Sequence, residues 1–521
     1  MMNYSARAPM PLNTLLADFV APELLLGCGD IEISGLTMDS RKAKKNNLFF
    51  ACQGELAHGL MFADKAIKNG AVAVLWDECQ NCEEIVSKIS QHITSLHCEN
   101  LRMKMGEIAD RFYRHPSAQI NVIGVTGTNG KTSIAHFIAQ CMDAENARCG
   151  VLGTLGNGFL DDLTTTGLTT ADVLSVHRDL EILRANGASH VVMEVSSHGL
   201  DQGRVNSVHF DTAVFTNLSH EHLDYHETMA AYAEVKRKLF FMPGLKTAVI
   251  NLDDEYGRSL ARECKEHLTV WGYSTQPELK DWPDYAKHLV QATALKAIAH
   301  GFDMTVKTPQ GNAELQIALL GQFNVSNVLA VLATLLINDL SLEAAVKKLA
   351  ALKPVPGRME LITADHGVTV VVDFAHTPKA LEAACEAVKQ HFDGRFWCVF
   401  GCGGDRDRSK RPLMARVAES YADKVVLTSD NPRSENPQDI LTEIVAGFED
   451  ATRVEVIADR REAIAYAIAQ AEKEPSDKSR ARKNNVVLLA GKGHESVQII
   501  GDKTIAFDDR QVAKECLGLA S

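Results

Sequence analysis

Residues 120–144, INVIGVTGTNGKTSIAHFIAQCMDA, decide the fold. INVIGVTG is a β-branched run too short for a helix, and it closes on glycines. KTSIAHFIAQCMDA then carries its apolar residues at helical spacing. Strand, glycine loop and helix in that order is the setting in which backbone N–H groups at a helix start hold phosphate. A strict phosphate-loop pattern needs glycine five positions before the Gly-Lys pair; Val125 stands there, and the glycine comes at 127. The chemistry survives the departure. Gly127 and Gly130 free the backbone to turn toward phosphate oxygens, Lys131 reaches terminal phosphates, and the Thr132 hydroxyl is a ligand for Mg2+. A chance glycine turn before a helix is the alternative, and the strand and helix on either side weigh against it.

Working outward, further buried-strand runs follow at HVVMEV (190–195), TAVFTNL (212–218) and TAVINLD (247–253), separated by helical stretches, which predicts a mainly parallel sheet. Around KTPQGNAEL (307–315) the pattern alternates and turn residues suggest an appended hairpin. Upstream, NLFFACQG (47–54) and GAVAVLWD (70–77) mix with helical patterns and end at a linker near Pro116. After LKPVPGRME (352–360) a third unit begins. Its strands VTVVVDFA, FWCVFG, KVVLTSD, VEVIAD and NVVLLAG alternate with helices, and most end in polar or glycine residues, where open α/β sheets bind ligands. Three α/β domains are expected: 1–115, 116–353 with the ATP loop on a P-loop-type mainly parallel sheet, and 354–521 as a Rossmann-like unit.

At 521 residues the chain is too long for one core, and its 45% hydrophobic content is that of a globular protein. The formal net charge of -13 leaves no footprint for nucleic acid or anionic lipid, so a phosphate site must be a local basic pocket. Small-molecule substrates, no nucleic acid, no membrane insertion and a monomer are the expectations. Neither a signal-peptide core nor an 18-residue apolar run occurs, and the twelve cysteines read as reduced thiols of a cytoplasmic protein. Cys79 and Cys82 lack the second pair that a zinc site needs.

The variant loop TGTNGKT resembles the ATP loop of the Mur ligases, the amino-acid-adding enzymes of bacterial peptidoglycan synthesis. MDSR (38–41), EVSSHGL (194–200), TNLSHEHLDYH (216–226), NLDDE (251–255), FNVSN (323–327), PGRME (356–360) and DFAHTP (373–378) extend the resemblance over nearly the whole chain. It implies ATP-dependent amide formation through an acyl phosphate. It further implies ATP contacts at Gly127, Thr128, Asn129, Gly130, Lys131, Thr132, Ser133, Asn327, Arg358 and Asp373, and Mg2+ at Thr132, Glu194 and His222. Lys236, which by itself reads as a lysine on a solvated helical face, becomes the residue that takes up CO2 as a carbamate and joins the metal ligands. Lys131, Glu194, His222 and Lys236 form the implied catalytic set.

The implied acceptor is a UDP-N-acetylmuramoyl dipeptide. Met38, Ser40, Glu55, Leu56 and Ala57 are matched to its uridine end, and Thr169, Thr170, Ser196, Gln202 and Arg204 to its muramoyl-dipeptide channel. Thr169 and Thr170 also read as a helix cap before ADVLSVHRDL. SDNPRSENP (429–437) reads from its residues as a turn. Within this family DNPR looks like the signature of enzymes that add meso-diaminopimelate. The implied amino-acid pocket is Arg406, Asp430, Asn431, Pro432, Arg433, Gly491 and Glu495, with the Arg433 fork meeting the distal carboxylate that lysine lacks. The same ligation with L-lysine and a folylpolyglutamate synthetase-like ligase are the alternatives.

Overall fold

The computed structural model describes residues 8–54, 57–79, 82–145, 147–277, 286–364, 367–474 and 484–519. The chain divides into two compact units. One comprises Met1–Lys131, Met142–Ala248 and Glu263–Thr269; the other comprises Thr132–Cys141, Val249–Arg262 and Val270–Ser521.

In the first unit, Gly35–Thr37, Asn47–Ala51, Ala71–Trp76 and Thr94–His97 form a parallel sheet in that order. Its central strands read as continuous apolar runs because both faces are covered. Leu48, Phe50, Ala73 and Leu75 pack toward Leu101, Ile108 and Phe112 of the helix Leu101–Phe112, while Phe49, Ala51 and Val74 pack toward Leu60, Ala63 and Ala66. Each such Leu, Val or Phe contributes about 1.5–3 kcal/mol by leaving water. Pro116, read as a linker, starts a 3-10 turn over Pro116–Gln119 with Pro116 and Ser117 buried, and the Ser117 hydroxyl accepts a bond from the His209 N–H (3.0 Å).

The expected parallel sheet follows. Arg148–Gly153, Ala188–Glu194, Asn121–Thr126 and Thr212–Phe215 lie side by side in that spatial order, all parallel. Gly156–Phe159 and Asp162–Thr164 add antiparallel strands at the Arg148–Gly153 edge. Asn121–Thr126, first of these in the chain, is flanked on both sides, so the loop that follows it emerges among the C-terminal ends of its neighbours.

In the second unit, His288–Ile298, Gly301–Thr308 and Gly311–Ile317 form an antiparallel meander. The expected hairpin is its last turn, with Thr308 paired to Gly311 across Pro309 and Gln310. The helix Gln322–Ile337 is apolar almost all round and correspondingly buried. A six-stranded sheet then runs in the order Glu360–Thr363, Thr369–Asp373, Val486–Ala490, Phe396–Phe400, Lys424–Leu427, Val454–Val456, parallel except at the first strand. Alternate residues face two cores, Val371, Phe396, Cys398 and Leu488 on one side and Val370, Val372, Val399 and Leu489 on the other.

One expectation is corrected. Cys79 and Cys82 are joined as a disulfide, with Cα atoms 5.5 Å apart, while the other ten cysteines are free. Counting possible metal ligands carries no information about this Cα separation, which lies within disulfide range. No helix among the described residues is long and apolar enough to cross a membrane.

Candidate active site

The loop after Asn121–Thr126 is held from the next strand's end. Thr128 N donates to Asn217 O (2.8 Å), Asn129 N to Asn217 Oδ1 (3.0 Å), and the Thr216 hydroxyl to Asn129 O (2.6 Å). Gly127 has φ +139°, and a Cβ there would collide with Thr216 Oγ1. Glycine is therefore required twice over, by backbone conformation and by space. Lys131 folds back on its own loop, donating to Gly127 O (3.0 Å) and Thr128 O (2.8 Å).

Three side chains of the expected catalytic set gather around this loop. Glu194 ends its strand fully buried, in register with Val125; its Oε1 accepts the Thr154 N–H (2.8 Å) and its Oε2 the Thr154 hydroxyl (3.0 Å). Lys236, expected from its own segment to be solvated, is buried on the helix Met229–Arg237 and donates to the same Gly127 carbonyl that Lys131 uses (2.9 Å). Burial, reinforced by the nearby Lys131 charge, pushes the Lys236 amine well below its ordinary value. His222 sits at φ +56°, where a non-glycine residue is strained, in ring contact with His198 and Tyr232. Loss of solvent, with help from His198, Lys131 and Lys236, lowers its imidazole to about 4. At neutral pH it offers a lone pair rather than a charge.

Among the described residues no group of three His, Cys, Asp or Glu side chains is arranged to hold a metal by itself. That still fits Mg2+, which commonly takes one or two carboxylates and completes its shell with substrate phosphates and water. In the first unit buried Glu194 is a hard oxygen donor, and a neutral amine is the form of a lysine that reacts with CO2.

Within the second unit, Thr132 and Ser133 open the buried part of the helix Lys131–Met142. Arg358 Nη2 reaches Thr132 Oγ1 (3.5 Å), and its guanidinium lies 4.4 Å from the Phe374 ring centroid. Asp373 ends its strand with both oxygens on backbone N–H groups, those of Met359 and Ala375 (2.8 Å each). Burial raises its carboxyl against the opposing pull of Arg358 and those N–H groups. Arg358, Asp373 and Thr132 thus come together, whereas the Asn327 amide donates to Asn324 (2.9 Å) on its own helix.

Thr169, Thr170, Ser196, Gln202 and Arg204 form one network in the first unit. Thr170 Oγ1 donates to Glu194 O (2.8 Å) and meets Ser196 Oγ (3.0 Å); Arg204 donates to Thr170 O (2.8 Å) and to Gln202 Oε1; Thr154 Oγ1, whose proton goes to Glu194, accepts from Thr169 Oγ1 (3.1 Å). The capping alternative for the threonine pair is overturned, since Asp172 caps the helix Val173–Ala185 by accepting from Ser175 N. Met38 is exposed and Ser40 buried. Glu55 and Leu56 lie outside the described residues, and Ala57 O accepts from Gly54 N (3.0 Å). His58 belongs to the GELAHG loop (54–59) matched to the uridine end, but the sequence assigns its side chain no role of its own. Its Nδ1 accepts from Leu60 N (3.2 Å), so its Nε2 carries the proton and donates to Asp77 (2.8 Å), tying this loop to a strand end.

The loops 403–406, 430–433 and 491–495 converge in the second unit. Arg433 has φ +53° and is held by Arg433 N to Ile499 O (3.1 Å) and Gly501 N to Arg433 O (2.7 Å). Its Nη1 donates to Gly404 O (2.7 Å), and no hydrogen bond among the described residues engages Nε or Nη2. A Cβ on Gly403 would lie 2.8 Å from Arg433 Nη1 and 3.9 Å from Arg406 Cγ, so both arginines flank that glycine. Pro432 is buried between Asn431 and Arg433. A Cβ on Gly491 would lie 2.6 Å from Asp430 Oδ2. Buried cations escaped the sequence reading, Arg411 and Lys492 among them. Arg411 binds Glu435 and Glu443, and Lys492 binds Asn431 and Glu495. Nothing in composition separates such lysines and arginines from surface ones.

A phosphate loop beside a buried carboxylate, with an arginine fork on a separate α/β sheet, defines a nucleotide-dependent enzyme that handles a carboxylate substrate. Three family profiles match in succession: "Mur ligase family, catalytic domain" over residues 32–113, "Mur ligase middle domain" over 125–335, and "Mur ligase, glutamate ligase domain" over 357–493. The chain belongs to the Mur ligase family and has its three-domain α/β fold. The UDP-N-acetylmuramoyl-L-alanyl-D-glutamate–2,6-diaminopimelate ligase of Coxiella burnetii is 44% identical over 94% of this chain and 96% of its own. The protein of the same name from Chromobacterium violaceum is 45% identical over 95% and 96%. A solved structure of a ligase of that name superposes with TM-score 0.65 at 36% identity, covering 94% of this chain and 95% of the other.

Proposed function

We propose that this chain joins meso-diaminopimelate to the D-glutamate γ-carboxylate of UDP-N-acetylmuramoyl-L-alanyl-D-glutamate, cleaving ATP to ADP and phosphate, in peptidoglycan precursor synthesis. The observation that carries the reading is Arg433, fixed by its backbone and by Gly404 with one guanidinium edge uncommitted. Such an edge matches a carboxylate in a bidentate way. L-lysine would leave it unmet, and an unmatched charge in a desolvated site commonly costs several kcal/mol.

A free carboxylate is a poor electrophile, so the γ-phosphoryl group passes first to the D-glutamate oxygen. The amine of diaminopimelate then attacks the acyl phosphate, and the tetrahedral intermediate expels phosphate. The N–H groups of Gly127–Thr132 hold the phosphates and Lys131 turns from its loop carbonyls toward them, stabilising the charge on the transferring group. Arg358 and Asp373 orient the nucleotide beside Thr132. Thr169, Thr170, Ser196, Gln202 and Arg204 align the dipeptide with Glu194, and Met38, Ser40 and the loop braced by His58 receive the uridine end. Thr132, Glu194, His222 and a carbamate on Lys236 would hold Mg2+, which would supply charge neutralisation for the phosphates.

The test is phosphate release from ATP with UDP-N-acetylmuramoyl-L-alanyl-D-glutamate and either meso-diaminopimelate, L-lysine or no amino acid. Turnover with diaminopimelate alone, lost in Arg433→Ala, is expected. Equal turnover with lysine would overturn the assigned amino acid, and no turnover with either would overturn the ligation itself.

A further inference from the structure

Between Gly491 and Glu495 lies Lys492, whose side chain is fully buried. Its ammonium donates to Val497 O (2.6 Å), Asn431 Oδ1 (3.2 Å) and Glu495 Oε2 (3.1 Å), so three donors meet three acceptors. The Asn431 amide is oriented as a result. Its Oδ1 accepts from both Lys492 and Ile499 N (3.0 Å), which turns its Nδ2 to Glu495 Oε2 (2.8 Å). Glu495 Oε2 therefore receives two donors. Among the described residues no hydrogen bond engages Oε1, and the Glu495 side chain is 31% exposed. One carboxylate oxygen is anchored and the other is presented.

The charge arrangement has a consequence for selection. A lone glutamate in a half-buried pocket would attract any ammonium group. With a buried ammonium bonded behind it, Glu495 is a directional acceptor with little net charge, and the uncommitted edge of Arg433 lies on the same group of loops. A side chain ending in both ammonium and carboxylate is matched at each end. One ending in ammonium alone loses the attraction and meets an unmatched cation.

We propose that Lys492 is a positioning and specificity-determining residue for the incoming amino acid: it aims Glu495 Oε1 at the substrate ammonium and cancels the negative charge that would admit a singly cationic side chain. The proposal rests on the amino-acid pocket assigned above.

The experiment measures, for wild type, Glu495→Gln, Lys492→Met and Lys492→Met/Glu495→Gln, the KM for meso-diaminopimelate and the inhibition constant of L-lysine. The KM values for ATP and for the UDP-linked acceptor are the controls. Lys492→Met is expected to raise the diaminopimelate KM about tenfold and to tighten lysine inhibition about tenfold, with both control KM values within about twofold of wild type. A parallel loss for all substrates, with lysine inhibition unchanged, would show a merely structural role and overturn the proposal. Should Lys492→Met not fold, the double variant, which removes both charges of the pair, is compared with Glu495→Gln. Lysine inhibition about tenfold tighter in the double variant supports the proposal, and equal inhibition overturns it. A wild-type diaminopimelate KM in Glu495→Gln would instead refute the pocket assignment and the proposal with it.

Discussion

Lys236 shows how far one side chain's chemistry depends on its surroundings. On a solvated helix face it would be an ammonium that repels Mg2+. Buried against Gly127 O with Lys131 on the same carbonyl, it is pushed toward the neutral amine. Neutral amines add CO2 and ammoniums do not, so the burial that makes Lys236 costly as a cation supports the carbamate proposed for it. Lys236→Ala is expected to lower phosphate release by about 10²-fold or more, in the range of losing a group that stabilises a phosphoryl transition state, with partial recovery on adding a small carboxylate. Activity near wild type in that variant would remove Lys236 from the mechanism. Gly127 and Gly491 are constrained in a different way, by the space that Thr216 Oγ1 and Asp430 Oδ2 occupy.

At the scale of elements, strand ends and the helices behind them place the site groups. Arg460, on the helix Arg460–Lys473, is fully buried with Asp509, which starts the helix Asp509–Cys516. It also donates to Ala490 O (3.1 Å) and Ser429 O (3.5 Å), the residues just before Gly491 and Asp430. One guanidinium thereby ties together two strand ends that carry the amino-acid loops. Arg460→Met leaves Asp509 buried without its cation and is expected to lower stability by about 3–5 kcal/mol, read from the denaturant midpoint of the second unit. Arg460→Met/Asp509→Leu is expected to recover most of that loss, and a double variant as unstable as the single would show that the pair matters for more than charge compensation. The sequence marked the glycine loop, Glu194 and DNPR because local patterns carry them. It did not mark Arg411, Arg460 or Lys492, whose burial depends on partners 24 to 61 residues away or across two helices.

For the molecule as a whole, several groups reduce stability on the acid side, and two of them act in successive pH ranges. Burial, with the Arg358 charge nearby, lowers His136 to about 4. The unfolded chain therefore takes up this proton first, and stability falls as pH drops from about 6.5 to 4. Bonds from Arg408 and Arg411 hold Glu443 down to about 2, so its stabilisation is complete above the ordinary carboxylate value of about 4.5 and is lost as pH falls toward 2. His136→Phe should flatten the upper range and Glu443→Gln the lower, measured by denaturant unfolding at a series of pH values; unchanged slopes would contradict the assignment.

By itself the sequence determined the alternation of strands and helices, the phosphate loop and the family, because these rest on short-range periodicity and on glycine positions that few folds require. Only the tertiary structure decided which cations are buried, which oxygen of Glu495 is presented, how the Asn431 amide is turned, and that Lys236 leaves water. Each of these depends on removing a charge from solvent and on partners distant in the chain, and local pattern carries no information about either.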